Sequence, residues 1–134
     1  KTDMAGGSGK NGKFKIEPDA LHYIAVVITN KNDEKITDAK NALANFNKEN
    51  FRNDNLRLSN IFLNNDTNKP IIVIRKFKNQ KAAMGYINAA NEAGNDYLTK
   101  KMDYVVYPLT QSNYREVLRN KSFDGYAEFF QENY

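Results

Sequence analysis

The sequence predicts an α+β fold of the ferredoxin-like, split-βαβ type with extra C-terminal helices. Three observations carry this. Four short runs rich in β-branched and aromatic residues alternate with two helical stripes in the order β-α-β-β-α-β, which is the order of that fold. A short polar loop joins the second and third runs, as an antiparallel hairpin requires. Two further helical segments follow the last strand.

The first strand is His22 to Ile28, His-Tyr-Ile-Ala-Val-Val-Ile, nearly continuous in apolar residues and therefore expected to be central and covered on both faces. Pro18, with a fixed torsion and no backbone donor, suits the entry to it. After a polar turn from Thr29 to Lys35, Ile36, Ala39, Leu43 and Phe46 recur at steps of three and four, the stripe of an amphipathic helix. Leu56 to Leu63 reads as a second strand. Leu58 and Ile61 break its alternation, which predicts a bulge or an irregular edge. Asn64 to Pro70 is a turn, and Ile71 to Phe77 is the third strand.

Asn79 can cap the next helix, where Ala82, Ala83, Tyr86, Ile87 and Ala90 share a face and Gly94 supplies the stop. Tyr104 to Leu109 is the fourth strand. Helical segments over Asn113 to Arg119 and Phe123 to Tyr134 complete the chain, the latter placing Tyr126, Phe130 and Tyr134 at successive i,i+4 positions.

Strands one and three are apolar on both faces, yet a two-layer sandwich leaves one face of the sheet to water. That face needs a cover. The aromatic C-terminal helix is the economical one, and a partner protein is the alternative.

At 134 residues the chain suits one domain, since single cores occupy roughly 100–200 residues. Residues 1–13 are Gly-, Ser- and Lys-rich and read as a flexible linker, with a single domain over 14–134. Hydrophobic residues at 40% and charged residues at 27% leave enough apolar surface to fold. The net charge of +4 is interspersed along the chain, without the basic stripe of a nucleic-acid binder. With no cysteine, disulfides, thiolate metal sites and cysteine nucleophiles are excluded within the chain. No run of about 18 apolar residues offers a membrane span, and none of the fragment is expected to insert in a bilayer.

No residue constellation carries chemistry. Gly7 to Lys13 matches most of a phosphate-binding loop, but Phe14 stands where Ser or Thr would hold the metal, and neither strand nor helix flanks it. The single histidine, His22, has no nucleophile elbow to serve and opens a buried strand, so a structural imidazole bonded to Asp19 or to backbone is expected. Asp33 with Glu34, and the separated Asp96 and Asp103, fall in polar loops where carboxylates are solvated. No spacing gathers three metal ligands. Asn65-Asp66-Thr67 is a formal glycosylation sequon that reads as a turn. RNA-recognition motifs share the strand order, but Ile-Ile-Val-Ile-Arg-Lys-Phe lacks their aromatic platform, and Arg75 and Lys76 read as a solvated strand end. The expectation is no enzyme activity and no catalytic, cofactor-binding or metal-binding residue. Within the cluster Phe123, Tyr126, Phe129, Phe130 and Tyr134, the residues Tyr126 and Phe130 are expected to pack on the domain. Phe129 and Tyr134 remain as candidate exposed contacts to a partner.

Several runs carry a resemblance: Asp19-Ala20-Leu21-His22-Tyr23 before the first strand, Phe46-Asn47, Ile72-Val73-Ile74-Arg75-Lys76-Phe77, the Ala82…Tyr86 helix and the ending Tyr126…Phe129-Phe130…Asn133-Tyr134. Over about Phe14 to Tyr134 the chain resembles the C-terminal domain of the tetratricopeptide-repeat lipoprotein of the Bacteroidetes gliding-motility and type IX secretion machinery. The resemblance implies a scaffolding, protein-binding role in the periplasm, with outer-membrane anchoring through a region N-terminal to this chain and other envelope secretion and motility proteins as partners. The Phe-Lys-Asn-Gln-Lys-Ala-Ala entry to the second helix is also similar to SPOR-type peptidoglycan-binding domains, which bind glycan strands on the sheet face. A small-ligand regulatory domain of the ferredoxin-like type is a further alternative.

Overall fold

In the computed structural model, residues 14–66, 69–98 and 101–134 are described. Both the expected linker and the Gly7 to Lys13 loop lie outside them.

Strands β1 (His22–Asn30), β2 (Arg57–Ile61), β3 (Ile71–Phe77) and β4 (Asp103–Thr110) form one sheet in the order β2-β3-β1-β4. Every neighbouring pair is antiparallel. Helices α1 (Ile36–Asn50) and α2 (Gln80–Ala93) connect the strands, and α3 (Gln111–Asn120) and α4 (Tyr126–Asn133) follow β4. The fold is the α+β, ferredoxin-like sandwich with extra C-terminal helices.

The strands that read as most apolar, β1 and β3, are the central pair. Ile24, Val26, Ile72 and Ile74 point to one face, where they pack with Leu43 and Phe46 of α1 and with Tyr86 and Ile87 of α2. Local chemistry ends α2 as expected: the Asn79 side chain accepts a 2.9 Å bond from the Ala82 N–H. At the other end Gly94 takes φ 56°, a region glycine enters without steric cost, and its N–H bonds Ala90.

On the opposite face Tyr23, Ala25, Ile71 and Val73 meet Val117 of α3 with Tyr126 and Phe129 of α4. The C-terminal helices are the cover that the doubly apolar strands require, so the sheet is the middle layer of three. Phe14 belongs to this layer too: it is 1% exposed and packs edge-on to Tyr126 at 4.9 Å between ring centroids. Asn113 ties the chain around Phe14 in place. Its Oδ1 accepts from the Lys15 N–H at 2.8 Å and its Nδ2 donates to the Lys15 carbonyl at 2.9 Å.

Three sequence expectations need correction. β2 has no bulge, since Arg57↔Arg75 through Ile61↔Ile71 pair in unbroken register. Its alternation fails because both faces of the sheet are covered: Leu58 packs with the α1–α2 layer and Ile61 with the α3–α4 layer. The irregularities fall in β1 instead, between His22 and Ile24 against β3 and between Ile28 and Asn30 against β4. β2 also stops at Ile61, and Leu63–Asn65 forms a 3-10 turn rather than the strand end. Asp103 opens β4 instead of lying in a loop, and its Oδ2 accepts from Asn32 Nδ2 at 3.4 Å.

Candidate functional site

The C-terminal layer engages the one histidine that the sequence singled out. His22 is fully buried at the start of β1. Its Nδ1 lies 2.9 Å from the Ala20 carbonyl and its Nε2 lies 2.9 Å from the Tyr134 hydroxyl. A carbonyl only accepts, so Nδ1 carries the proton of the neutral ring, and Nε2 accepts from Tyr134. The imidazole is satisfied by backbone, as expected, and by Tyr134 rather than by Asp19. No lone pair is left for a substrate.

Burial lowers the His22 pKa below its ordinary 6.5, opposed by the Ala20 carbonyl and by Glu17. The unfolded chain therefore takes up this proton first as pH falls. The His22 contribution to stability is complete above about 6.5 and is lost as pH drops below it toward the folded value. Urea titrations at pH 7.5 and 5 should show a fall in stability that a His22→Gln variant shows to a smaller degree. Equal falls would assign the pH dependence to other groups.

Phe129 is 1% exposed, wedged against Phe14 at 5.6 Å and Tyr126 at 5.4 Å between centroids. It is part of the core and is not available to a partner. Tyr134 is half-buried, with its hydroxyl on His22 and its ring against Phe130. Burial pushes its phenol up to about 12. The assignment of Phe129 as an exposed contact is thus corrected, while Tyr134 keeps part of its ring at the surface: an i,i+4 aromatic stripe shows that a helix has an apolar face but not how widely that face is covered. Tyr126 is fully buried and donates to the Pro108 carbonyl at 2.5 Å, and Phe130 is half-buried beside Tyr107. Arg75 is half-buried, its guanidinium 5.9 Å from the centre of the Tyr23 ring, whereas Lys76 is exposed.

With both faces covered, the accessible features of the sheet are its edges. β2 has five residues, opens on Arg57, and has Lys40 bonded across to Asn60 at 3.0 Å. Charge and shortness blunt such an edge. β4 differs. Its central residues, Tyr104-Val105-Val106-Tyr107, carry no charge, and Val105 is 41% exposed. A groove of about 510 Å³ follows this edge, walled by Ile87 and Asn91 of α2 on one side and by Ala127, Phe130 and Gln131 of α4 on the other.

Pro108 fixes which backbone groups are free. The β1–β4 ladder runs through the Ile24↔Pro108 pair without a register shift, so the missing N–H falls on the outer side of the edge strand. Backbone groups in a strand alternate with period two. Val106 and Tyr104 therefore also turn their N–H and C=O outward, away from β1, toward the groove. Sequence reasoning did not find this site: the predicted fold puts β4 at an edge, but the walls that α2 and α4 raise beside it depend on how the C-terminal helices pack.

No protein-family model matches the chain, and no curated protein or solved structure matches it. Among the described residues, no helix is long and apolar enough to cross a membrane.

Proposed function

We propose that this chain is a non-catalytic protein-interaction domain that holds an extended segment of a partner protein by adding it as a strand to the outer edge of β4. The observation that carries the proposal is the uncharged stretch Tyr104 to Tyr107, with outward backbone groups, lying in a groove between α2 and α4 whose walls include Ile87, Ala127 and Phe130 beside Asn91 and Gln131. Strand addition draws affinity from main-chain hydrogen bonds and specificity from alternate side chains. Here the groove walls would receive apolar side chains of the incoming segment. Pro108 limits the pairing to the half of β4 before it.

The resemblance supplies the setting of this proposal: a scaffolding domain in the periplasm, attached to the outer membrane through a preceding region, whose partners are other secretion and motility proteins of the envelope. A glycan strand bound across an open sheet face, as in SPOR-type domains, conflicts with the packing of α3 and α4 over the only face that α1 and α2 leave.

The test is selection from a library of extended peptides with alternating apolar side chains, in parallel with sedimentation on purified peptidoglycan sacculi. The expected result is a set of peptides that cross-link to a photoreactive residue at position 105, with no sedimentation. Co-sedimentation with sacculi and no cross-linked peptide would overturn the proposal.

A further inference from the structure

A separate site lies toward the opposite edge of the sheet, where β2 meets β3. Arg57 of β2 and Arg75 of β3 are direct cross-strand partners, so their side chains project side by side from one face. It is the face of α3 and α4, because Ile71 and Val73, in step with Arg75 along β3, pack in that layer.

Lys76 joins them through a bulge. Between Ile24↔Ile74 and His22↔Phe77 in the β1–β3 ladder, β1 has one residue, Tyr23, and β3 has two, Arg75 and Lys76. The extra residue resets the alternation: Ile74 and Phe77 both pack in the α1–α2 layer, although at that spacing a regular strand would turn them to opposite faces. Arg75 and Lys76 are therefore both turned away from that layer. Bulges re-aim side chains in this way and recur beside functional sites.

Arg57, Arg75 and Lys76 line one groove of about 460 Å³ together with Asp54 and Asn55, within the roughly 300–1,000 Å³ of small-molecule sites. Among the described residues, no carboxylate forms an ion pair with any of the three cations, Asp54 included. Like charges directly opposite each other in a sheet are unfavourable. One charge is enough to blunt an edge strand, and a second one across the ladder adds repulsion. An anion that bridges the two guanidiniums reverses the sign of that interaction. Arg75 is also held in place: it is half-buried, with its guanidinium 5.9 Å from the centre of the Tyr23 ring, and Tyr23 packs edge-on to Tyr114 at 5.3 Å. A guanidinium fixed on an aromatic face has less freedom left to lose on binding.

The donor set discriminates among anions. A planar carboxylate has two oxygens, which a single guanidinium fork can occupy. Two forks and an ammonium around one groove suit a tetrahedral group with three terminal oxygens and two charges. Arg57 and Lys76 are exposed, so such a dianion keeps part of its water and its desolvation cost stays small.

We propose that the groove at Arg57, Arg75 and Lys76 binds the phosphate group of a small phosphate monoester. The two guanidiniums donate to phosphate oxygens from adjacent strands, and Lys76 adds the third positive charge. Asp54 and Asn55 are left to bond hydroxyl groups of the organic part. The site is independent of the β4 edge, and either proposal can fail without the other.

The test is an NMR titration of the ¹⁵N-labelled chain with sodium glycerol 3-phosphate at pH 7.5, where the ester is a dianion. Sodium succinate and sodium chloride at matched ionic strength are the comparisons. Glycerol 3-phosphate should move the Arg57 and Arg75 Nε–H signals saturably, with Kd of about 1 mM or lower, and succinate should bind at least about tenfold more weakly. Arg57→Gln removes an exposed charge, and Arg57→Lys keeps the charge while removing the fork. The first should weaken binding at least about tenfold and the second at least about threefold. The urea midpoint of Arg57→Gln should not fall, since repulsion across the ladder is relieved. Succinate binding as tight as the ester, shifts no larger than those in chloride, or ester affinity unchanged in Arg57→Gln would each overturn the proposal. Sedimentation with phosphatidic acid vesicles but no saturable response to glycerol 3-phosphate would overturn it in favour of a membrane surface.

Discussion

Replacing Tyr126 by alanine is expected to remove about 3–5 kcal/mol of unfolding free energy, the range for deleting a large aromatic side chain from a core. Tyr126 is fully buried at the centre of the C-terminal layer, with ring centroids of Phe14, Tyr107 and Phe129 all within 5.5 Å of its own. Truncation would leave a cavity lined by those rings and free the Pro108 carbonyl that its hydroxyl holds. Against a total stability of about 5–15 kcal/mol, such a loss is a large fraction of the whole. Tyr126→Phe isolates the hydroxyl and should cost only about 1 kcal/mol. Urea denaturation of the three proteins checks both numbers. A cost below about 1 kcal/mol for the alanine variant would mean that α4 does not stabilise the sheet, and the three-layer architecture would be wrong.

The second large effect concerns binding rather than folding. Val106→Pro should leave stability within about 1 kcal/mol of the parent, because the lost N–H points away from β1, as at Pro108 two residues on. The same substitution removes one backbone donor that an added strand would use and places a ring against the incoming chain. Affinity for the selected extended peptides should therefore fall at least about tenfold, or about 1.4 kcal/mol. Circular dichroism and a urea titration establish that the fold is intact, and fluorescence anisotropy reads the affinity. Val105→Lys provides a complementary variant: it keeps every backbone donor and places a charge in an otherwise uncharged stretch, the device by which edge strands resist pairing.

Much of the architecture was legible from local patterns. The β-branched run of β1 and the boundaries of β3 were read directly because central strands covered on both sides are continuously apolar. The same doubly apolar character demanded a third layer, and the only aromatic segment left over, Phe123 to Tyr134, supplied it. Caps at Asn79 and Gly94 were legible because they depend on the residues immediately beside them.

What was not legible depends on residues far apart in the chain. The His22–Tyr134 bond joins positions 112 residues apart, and the Asn113–Lys15 pair spans 98. Neither has a local signature. Phe129 was expected at the surface because one helix has two apolar neighbours at i and i+3, and only the position of Phe14 decides that both are covered. Asn47 sits next to Phe46 in a helical stripe, and only the approach of Tyr86 from α2 reveals its carboxamide as a committed acceptor with an idle donor.

Amide hydrogen exchange along β4, with and without a selected peptide, tests the central claim most directly. In the free domain the Tyr104 and Val106 amides should exchange quickly while Val105 and Tyr107, bonded to β1, are protected; saturating peptide should slow Tyr104 and Val106 and leave β2 unchanged. Tyr104 and Val106 amides already protected in the free domain, or protection by peptide that falls elsewhere, would contradict strand addition at this edge.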